Sequence, residues 1–267
     1  STVRTWLYRI ATNVCTDMLR GRQRRGRPMA MGPARPPEET SLAFTLAEES
    51  WVVPAPDRAV LDDGADPAET AVLRDSVRLA FVAALQHLPA RQRGAVLLCD
   101  VFRWPASETA ELLATSVASV NSALQRARAT LAELGADQPV ATPGPGDAEL
   151  VERFLDAFER YDIPLLITLL REDAVQSMPP FAMWLEGAED IGHWMLGPGS
   201  GCRGSRVLAT EANGCPAFGQ YRVDPAGGHA PWGLHVVEIE EGRVTGLHTF
   251  LDPELFPLFE LPTHLPD

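Results

Sequence analysis

Two stretches without any sustained hydrophobic period break this chain into three blocks, and that spacing excludes a single continuous core. The first covers residues 29–67, rich in proline, alanine and acids, and the second is the Pro/Gly run "GADQPVATPGPGD", residues 135–147. Both read as linkers, the second occupying 135–146. The blocks they separate are residues 1–28, 68–134 and 147–267, so a multi-domain chain is expected. Inside the first linker, "WVVPAPD" at residues 51–57 sets a tryptophan beside a proline pair. It is either an incidental loop aromatic or a docking motif that packs between domains.

The blocks differ in period. In residues 1–28, Val3, Trp6, Leu7, Ile10, Val14 and Met18 recur at spacings of three and four, a helical stripe running into Arg20, Arg22, Arg24 and Arg25 and ending at Gly26–Pro28. One amphipathic helix cannot bury its own apolar face, so this one needs partners. The second block opens with "DPAETAVLRDSVRLAFVAALQHL", whose Val72, Val77, Phe81, Leu85 and Leu88 form a stripe closed by Pro89. "ARQRGAVLLCDVF", "SETAELLA" and "SVASVNSALQRARATLAEL" add three more helices, giving a compact all-helical unit. In the third block the helices "DAELVERFLDAFERYD" and "IPLLITLLRED" precede strand-like runs, "RVLATEANG", "PAFGQYRVD" and "WGLHVVEIEEGRVTGLHTFLD", the last bent into a hairpin at Glu240 to Gly242. Helices followed by an antiparallel sheet imply an α+β domain.

A formal net charge of −13 argues against nucleic acid only while it is averaged over the chain. Residues 1–35 hold eight arginines against Asp17, and residues 88–131 hold five arginines against three acids. The acids concentrate elsewhere, 22 of them in residues 132–267. Both basic segments are helical in pattern, which suits a nucleic-acid binder with an acidic appendage. The four cysteines lie far apart without a zinc or redox spacing, so neither a metal nor a cofactor is expected and buried thiols are the plain reading. No signal peptide and no run of eighteen apolar residues is visible, so a cytosolic protein is expected, with no membrane among its partners.

"WPASETAELLATSVASVNSALQRARATL" reads as helix, turn, helix, with Ser107 as N-cap of the first helix and Ala114-Thr115-Ser116 as the turn. The second helix keeps Val117, Val120, Leu124 and Leu131 on one side and turns Ser119, Asn121, Ser122, Gln125, Arg126 and Arg128 to other faces. Asn and Gln pair with adenine, Arg with guanine, and Ser with a base edge or a phosphate. A solvated helix face has the same composition, and a turn without glycine is an unspecific motif.

The segment "LPARQRGAVLLCDVFRWPASETAELLATSVASVNSALQRARATL" resembles region four of the extracytoplasmic-function sigma factors of RNA polymerase. Leu88-Pro89, Arg91-Gln92-Arg93, Glu108-Thr109-Ala110-Glu111-Leu112, Ser116-Val117 and Arg126-Ala127-Arg128 carry the likeness. The opening block is similar to the end of region two at Trp6-Leu7, Arg9-Ile10-Ala11, Asn13, Asp17 and Leu19-Arg20. The resemblance implies a transcription initiation factor whose partners are core RNA polymerase and promoter DNA. Asn13, Asp17, Arg20, Arg24 and Arg25 are then expected on the downstream promoter element, and Asn121, Ser122, Gln125, Arg126 and Arg128 on the upstream one. Relatives have basic residues where Asn121 and Ala123 stand, so weak affinity in isolation and a shallow salt dependence are expected. The chain starts at Ser1 without the polymerase-gripping helices of region two, and an N-terminal truncation is expected.

The third block resembles the cone-shaped, SnoaL-like and nuclear-transport-factor-like domains at "VERFLDAFERYD", "MPPFAMWLEG", "ANGCPAFGQY" and "FLDPELFPLFELP". That likeness implies an apolar cone, with Met178, Trp184, Tyr221, His235 and His248 as its candidate lining and Asp252 as a further acid–base candidate, open to a small-molecule ligand. Nothing in the sequence pairs an acid with a base, so no catalytic residue is expected and a regulatory module is the preferred reading. A ligand-controlled helix-turn-helix regulator and an isomerase or hydrolase of a small apolar substrate are the alternatives.

Overall fold

The computed structural model of the chain describes residues 25–47, 50–60, 81–82, 85, 87–133 and 146–266. They fall into two compact units, one holding residues 81–133 and the other residues 27–60 with 146–266. Residues 1–24 of the expected first helix, and with them Asn13, Asp17, Arg20 and Arg24, lie outside the described residues, as do Val72 and Val77.

The helical unit contains α1 (Ala90–Val96), which runs into a π-helical turn Leu97–Val101, then α2 (Ala106–Leu112) and α3 (Val117–Glu133). Leu85 and Leu88 pack with Ala95, Val96, Ala110, Val120, Leu124 and Leu131 in one core. Each fully buried Leu or Val contributes about 1.5–3 kcal/mol. Arg93 fastens the segment before α1, donating from Nε to Leu85 O (2.8 Å) and from Nη2 to Leu88 O (3.1 Å). Val117, expected in the apolar stripe, is 44 % exposed. The stripe of α3 is instead Val120, Ala123, Leu124, Ala127 and Leu131, because a helix opening at residue 117 turns its first side chain away from the core.

The second unit is built on a six-stranded sheet: β1 (Leu170–Ser177), β2 (Trp184–Glu186), β3 (Arg206–Ala212), β4 (Cys215–Val223), β5 (His229–Glu240) and β6 (Arg243–Phe250). The strand order is β2-β1-β6-β5-β4-β3. All neighbours are antiparallel except β1 and β6, which run parallel, so the sheet is mixed where an antiparallel one was expected. The cause lies in "IPLLITLLRED": its helix stops at Leu169 and Leu170 begins β1, which returns beside β6 from the far end of the chain. Two hairpins turn on residues with positive φ, Asn213-Gly214 (55° and 72°) and Glu241-Gly242 (51° and 71°). Both are two-residue turns of the mirror-image type, whose twist matches that of the strands. Bulges at Gln220/Tyr221 and Glu238/Ile239 curl the sheet.

Helices α4 (Asp147–Glu159), α5 (Ile163–Leu169) and α6 (Ala188–Leu196) cover the concave face. Phe154, Phe158, Ile163, Leu166, Ile191 and Trp194 meet Phe218, Val237 and Leu247 there. On the outer face the tail seats Leu255, Phe256, Phe259 and Leu261, leaving Leu258 exposed. A Cβ at Gly219 would lie 2.7 Å from Leu261 and 2.9 Å from Phe256, so only glycine admits the tail this close.

Residues 27–60, expected as part of a linker, lie on this unit. Arg35 N–H donates to Trp184 O and Ala182 N–H to Phe44 O. Trp51 and Val52 are buried, and Pro56 bridges to Ala212. Asp57 Oδ1 accepts from Gly214 N–H at 2.8 Å. Proline and acid content made the stretch look like a spacer, but its backbone polar groups pair with the sheet domain as an edge segment would.

Candidate nucleic-acid interface and domain cavity

The turn between α2 and α3 fixes how α3 is presented. Ala114 has φ +50°, its N–H bonds to Glu111 O at 3.2 Å, and Thr115 N–H bonds to Ala110 O at 2.9 Å. This is a Schellman closure with alanine where glycine is usual. Ser116 then caps α3, accepting from Ser119 N–H at 3.2 Å. The capping serine is therefore Ser116. Ser107 lies inside α2, whose N-cap is Pro105.

With the apolar side of α3 buried, Ser119, Asn121, Ser122, Gln125 and Arg126 are all exposed, on a helix whose N-terminal end is free of acids. Arg128 is exposed too, but Asp100 holds its guanidinium with two bonds, Nη2 to Oδ1 at 2.6 Å and Nε to Oδ2 at 3.1 Å. That pairing ties α3 to the π-helical turn and draws Arg128 away from the other polar residues. Arg25 is half-buried in the helical unit.

The concave face of the sheet domain encloses a cavity of about 510 Å³. Of the candidate lining residues, Met178 and His235 reach it, and Trp184, Tyr221 and His248 do not. Trp184 sits on the edge strand β2 and spends its indole N–H on Gly32 O at 2.8 Å. Tyr221 and His248 follow strand alternation to the outer face. Tyr221 packs edge-on to Phe256, and burial lifts its hydroxyl to a pKa of about 12. His248 receives Arg27 Nη2 on Nε2 at 2.7 Å, so its Nδ1–H donates to Ser177 Oγ at 2.8 Å. Asp252 lines a separate, smaller cavity beside Trp51.

His235 lies inside a one-way chain of hydrogen bonds. Ser205 Oγ–H donates to Cys202 O, so Ser205 accepts from Gln220 Nε2, which turns Gln220 Oε1 toward His235 Nε2 at 2.8 Å. Nε2 therefore carries the proton, and Nδ1 accepts from Thr249 Oγ1 at 2.9 Å. Stacked flat on Phe218 at 4.3 Å, the fully buried ring is pulled down to a pKa of about 3 by desolvation. Tyr161 is likewise satisfied, its hydroxyl donating to Met195 O and Gly199 O. Among the described residues, no carboxylate lines the cavity. Sequence reasoning missed Gln176 and Gln220, which face the cavity. Their signal was a polar residue on the concave side of an alternating strand.

No helix among the described residues is long and apolar enough to cross a membrane. Residues 78–131 match the family model "Sigma-70, region 4". Over 99 % of its length the chain is 43 % identical to the ECF RNA polymerase sigma factor SigG of Mycobacterium tuberculosis, covering 72 % of that protein. It is 27 % identical to SigJ of the same organism over 73 % of this chain and 65 % of SigJ. The crystal structure of SigJ superposes with a TM-score of 0.62 at 22 % identity, covering 98 % of this chain and 86 % of that one, and so shares the fold. The chain belongs to the extracytoplasmic-function sigma factors of RNA polymerase, transcription initiation factors, and carries in addition a C-terminal cone-shaped α+β domain.

Proposed function

We propose that α3 reads the upstream promoter element through Asn121, Ser122, Gln125 and Arg126, with core RNA polymerase and the downstream element as the other partners, in the cytoplasm. The observation that carries this reading is the exposed polar face of α3, whose N-terminal end is free of acids and is held by a Schellman turn and a serine cap. Its few cations supply little phosphate affinity, so recognition depends on polymerase engaging the rest of the chain. Promoter-dependent transcription with core polymerase, by the factor carrying a complete region two, tests it. Arg126→Ala and Asn121→Ala are expected to lower initiation about ten-fold or more while the factor still co-purifies with core polymerase. Unchanged initiation by both variants would overturn the assignment, and failure to co-purify in the wild type would favour a regulator that acts on DNA alone.

The cone domain acts in this reading as a modulator in cis. Supporting it, residues 27–60 are bound along the domain, so its state is coupled to chain that lies between the two conserved promoter-reading regions of the family. An enzymatic role is disfavoured by a cavity with no carboxylate among its described lining residues and a histidine whose two nitrogens are both engaged.

A further inference from the structure

We infer that the cavity of the cone domain binds a compact aromatic acid: a ring system with a hydrogen-bond donor at one end and an anionic group at the other. A volume of about 510 Å³ suits a small molecule. Aromatic and thioether side chains, with Phe158, Trp194, Trp232, Met178 and Met195 among them, share the walls with leucines and prolines, and their ring faces and polarizable sulfurs suit a ring system.

The donor requirement comes from Gln176 on β1. The residue lines the cavity, is only 4 % exposed, and its Oε1 has no hydrogen-bond partner. The other polar groups in this wall, His235, Thr249, Gln220 and Tyr161, are all satisfied. An orphaned acceptor destabilises the empty domain, and a ligand O–H or N–H completes it. The anionic requirement comes from Arg222 at the half-exposed rim. Its guanidinium lies 4.2 Å over the Trp232 ring, and none of the described lining residues is a carboxylate. A carboxylate entering past Trp232 meets this cation with the ring system directed inward.

The test uses the whole chain and 6-hydroxy-2-naphthoic acid in isothermal titration calorimetry, with 6-methoxy-2-naphthoic acid lacking the donor and 2-naphthol lacking the anion. No polymerase or DNA is present, so the outcome is independent of the promoter reading. The hydroxy acid is expected to bind one to one, and each comparator about ten-fold more weakly. Gln176→Met is expected to erase the preference for the hydroxy over the methoxy acid while raising the unfolding midpoint of the ligand-free protein, because it removes an unsatisfied buried group. Arg222→Gln is expected to erase the preference over 2-naphthol, and its half-exposed position keeps this arm informative if Gln176→Met fails to fold. Equal binding of the two naphthoic acids, tighter binding of decanoic acid, a lowered midpoint in Gln176→Met, or no binding of any probe at millimolar concentration would each overturn the proposal.

Discussion

Ala55 and Asn213 exchange two hydrogen bonds, Ala55 N–H to Asn213 Oδ1 at 2.8 Å and Asn213 N–H to Ala55 O at 3.1 Å. The pair joins "WVVPAPD" to the β3–β4 hairpin, and Asn213 makes it while holding φ at 55° in the turn. Asn213→Gly preserves the turn and deletes the acceptor, so it is expected to cost about 1 kcal/mol. Trp51→Ala, emptying a buried site, is expected to cost about 3–5 kcal/mol. Limited proteolysis should cut within residues 27–60 faster in both variants. An unchanged cleavage pattern would mean that this segment is held elsewhere.

Ala114 adopts the left-handed conformation that its Cβ opposes. Ala114→Gly is expected to raise the stability of the helical unit by about 1 kcal/mol. Thermal unfolding followed by helical circular dichroism measures this, and a lowered midpoint would contradict the turn geometry.

Arg126 and Arg128 are two residues apart on α3 with different surroundings. Arg128 is held by Asp100, a largely exposed pair, so Arg128→Ala and Asp100→Ala should each cost about 0.2–1 kcal/mol and be non-additive in a double-mutant cycle. Arg126→Ala should leave stability unchanged and lower the salt slope of promoter binding by about 0.9, as loss of one phosphate contact requires. Equal effects of both arginines on the slope would show that the Asp100 pair opens on DNA.

His235 is expected to make the cone domain sensitive to acid. Its folded pKa is about 3 against an ordinary value of 6.5, so between these values the unfolded chain takes up the proton first. The contribution is complete above about pH 6.5 and falls as pH drops toward 3, reaching a loss of about 2 kcal/mol at pH 5. Urea unfolding at pH 7.5 and 5.0 should show this difference in the wild type, and His235→Gln should reduce it by a similar amount. An identical pH dependence in the variant would mean that other groups carry the acid sensitivity.

Much of this was legible in the residues themselves, and what was not has physical causes. The polar face of α3 followed from helical period, and the β5–β6 hairpin from alternation around Glu241-Gly242. Val117 was misplaced because period alone does not say where a helix starts relative to its core. His248 and Tyr221 were expected in the cavity as polar, chemically capable residues. Strand alternation places them outside and brings Gln176 and Gln220 inside, so the alternating pattern held the answer and chemical type alone misdirected it. The role of "WVVPAPD" was ambiguous because the partner of its Ala55, the Asn213 turn, lies more than 150 residues away, beyond the reach of any local pattern.

The binding of residues 27–60 along the sheet has a practical corollary for anyone cutting or grafting this protein. A fragment starting at residue 146 would bare the groove that Trp51 and Val52 fill, and the complementary truncation would leave those two side chains in water. The transplantable module is thus discontinuous in sequence, with the helical unit inserted between its two parts. Fusions that treat the C-terminal third as a cassette are expected to aggregate, whereas a design that carries residues 27–60 along, joined to residue 146 by a flexible spacer, should stay monodisperse.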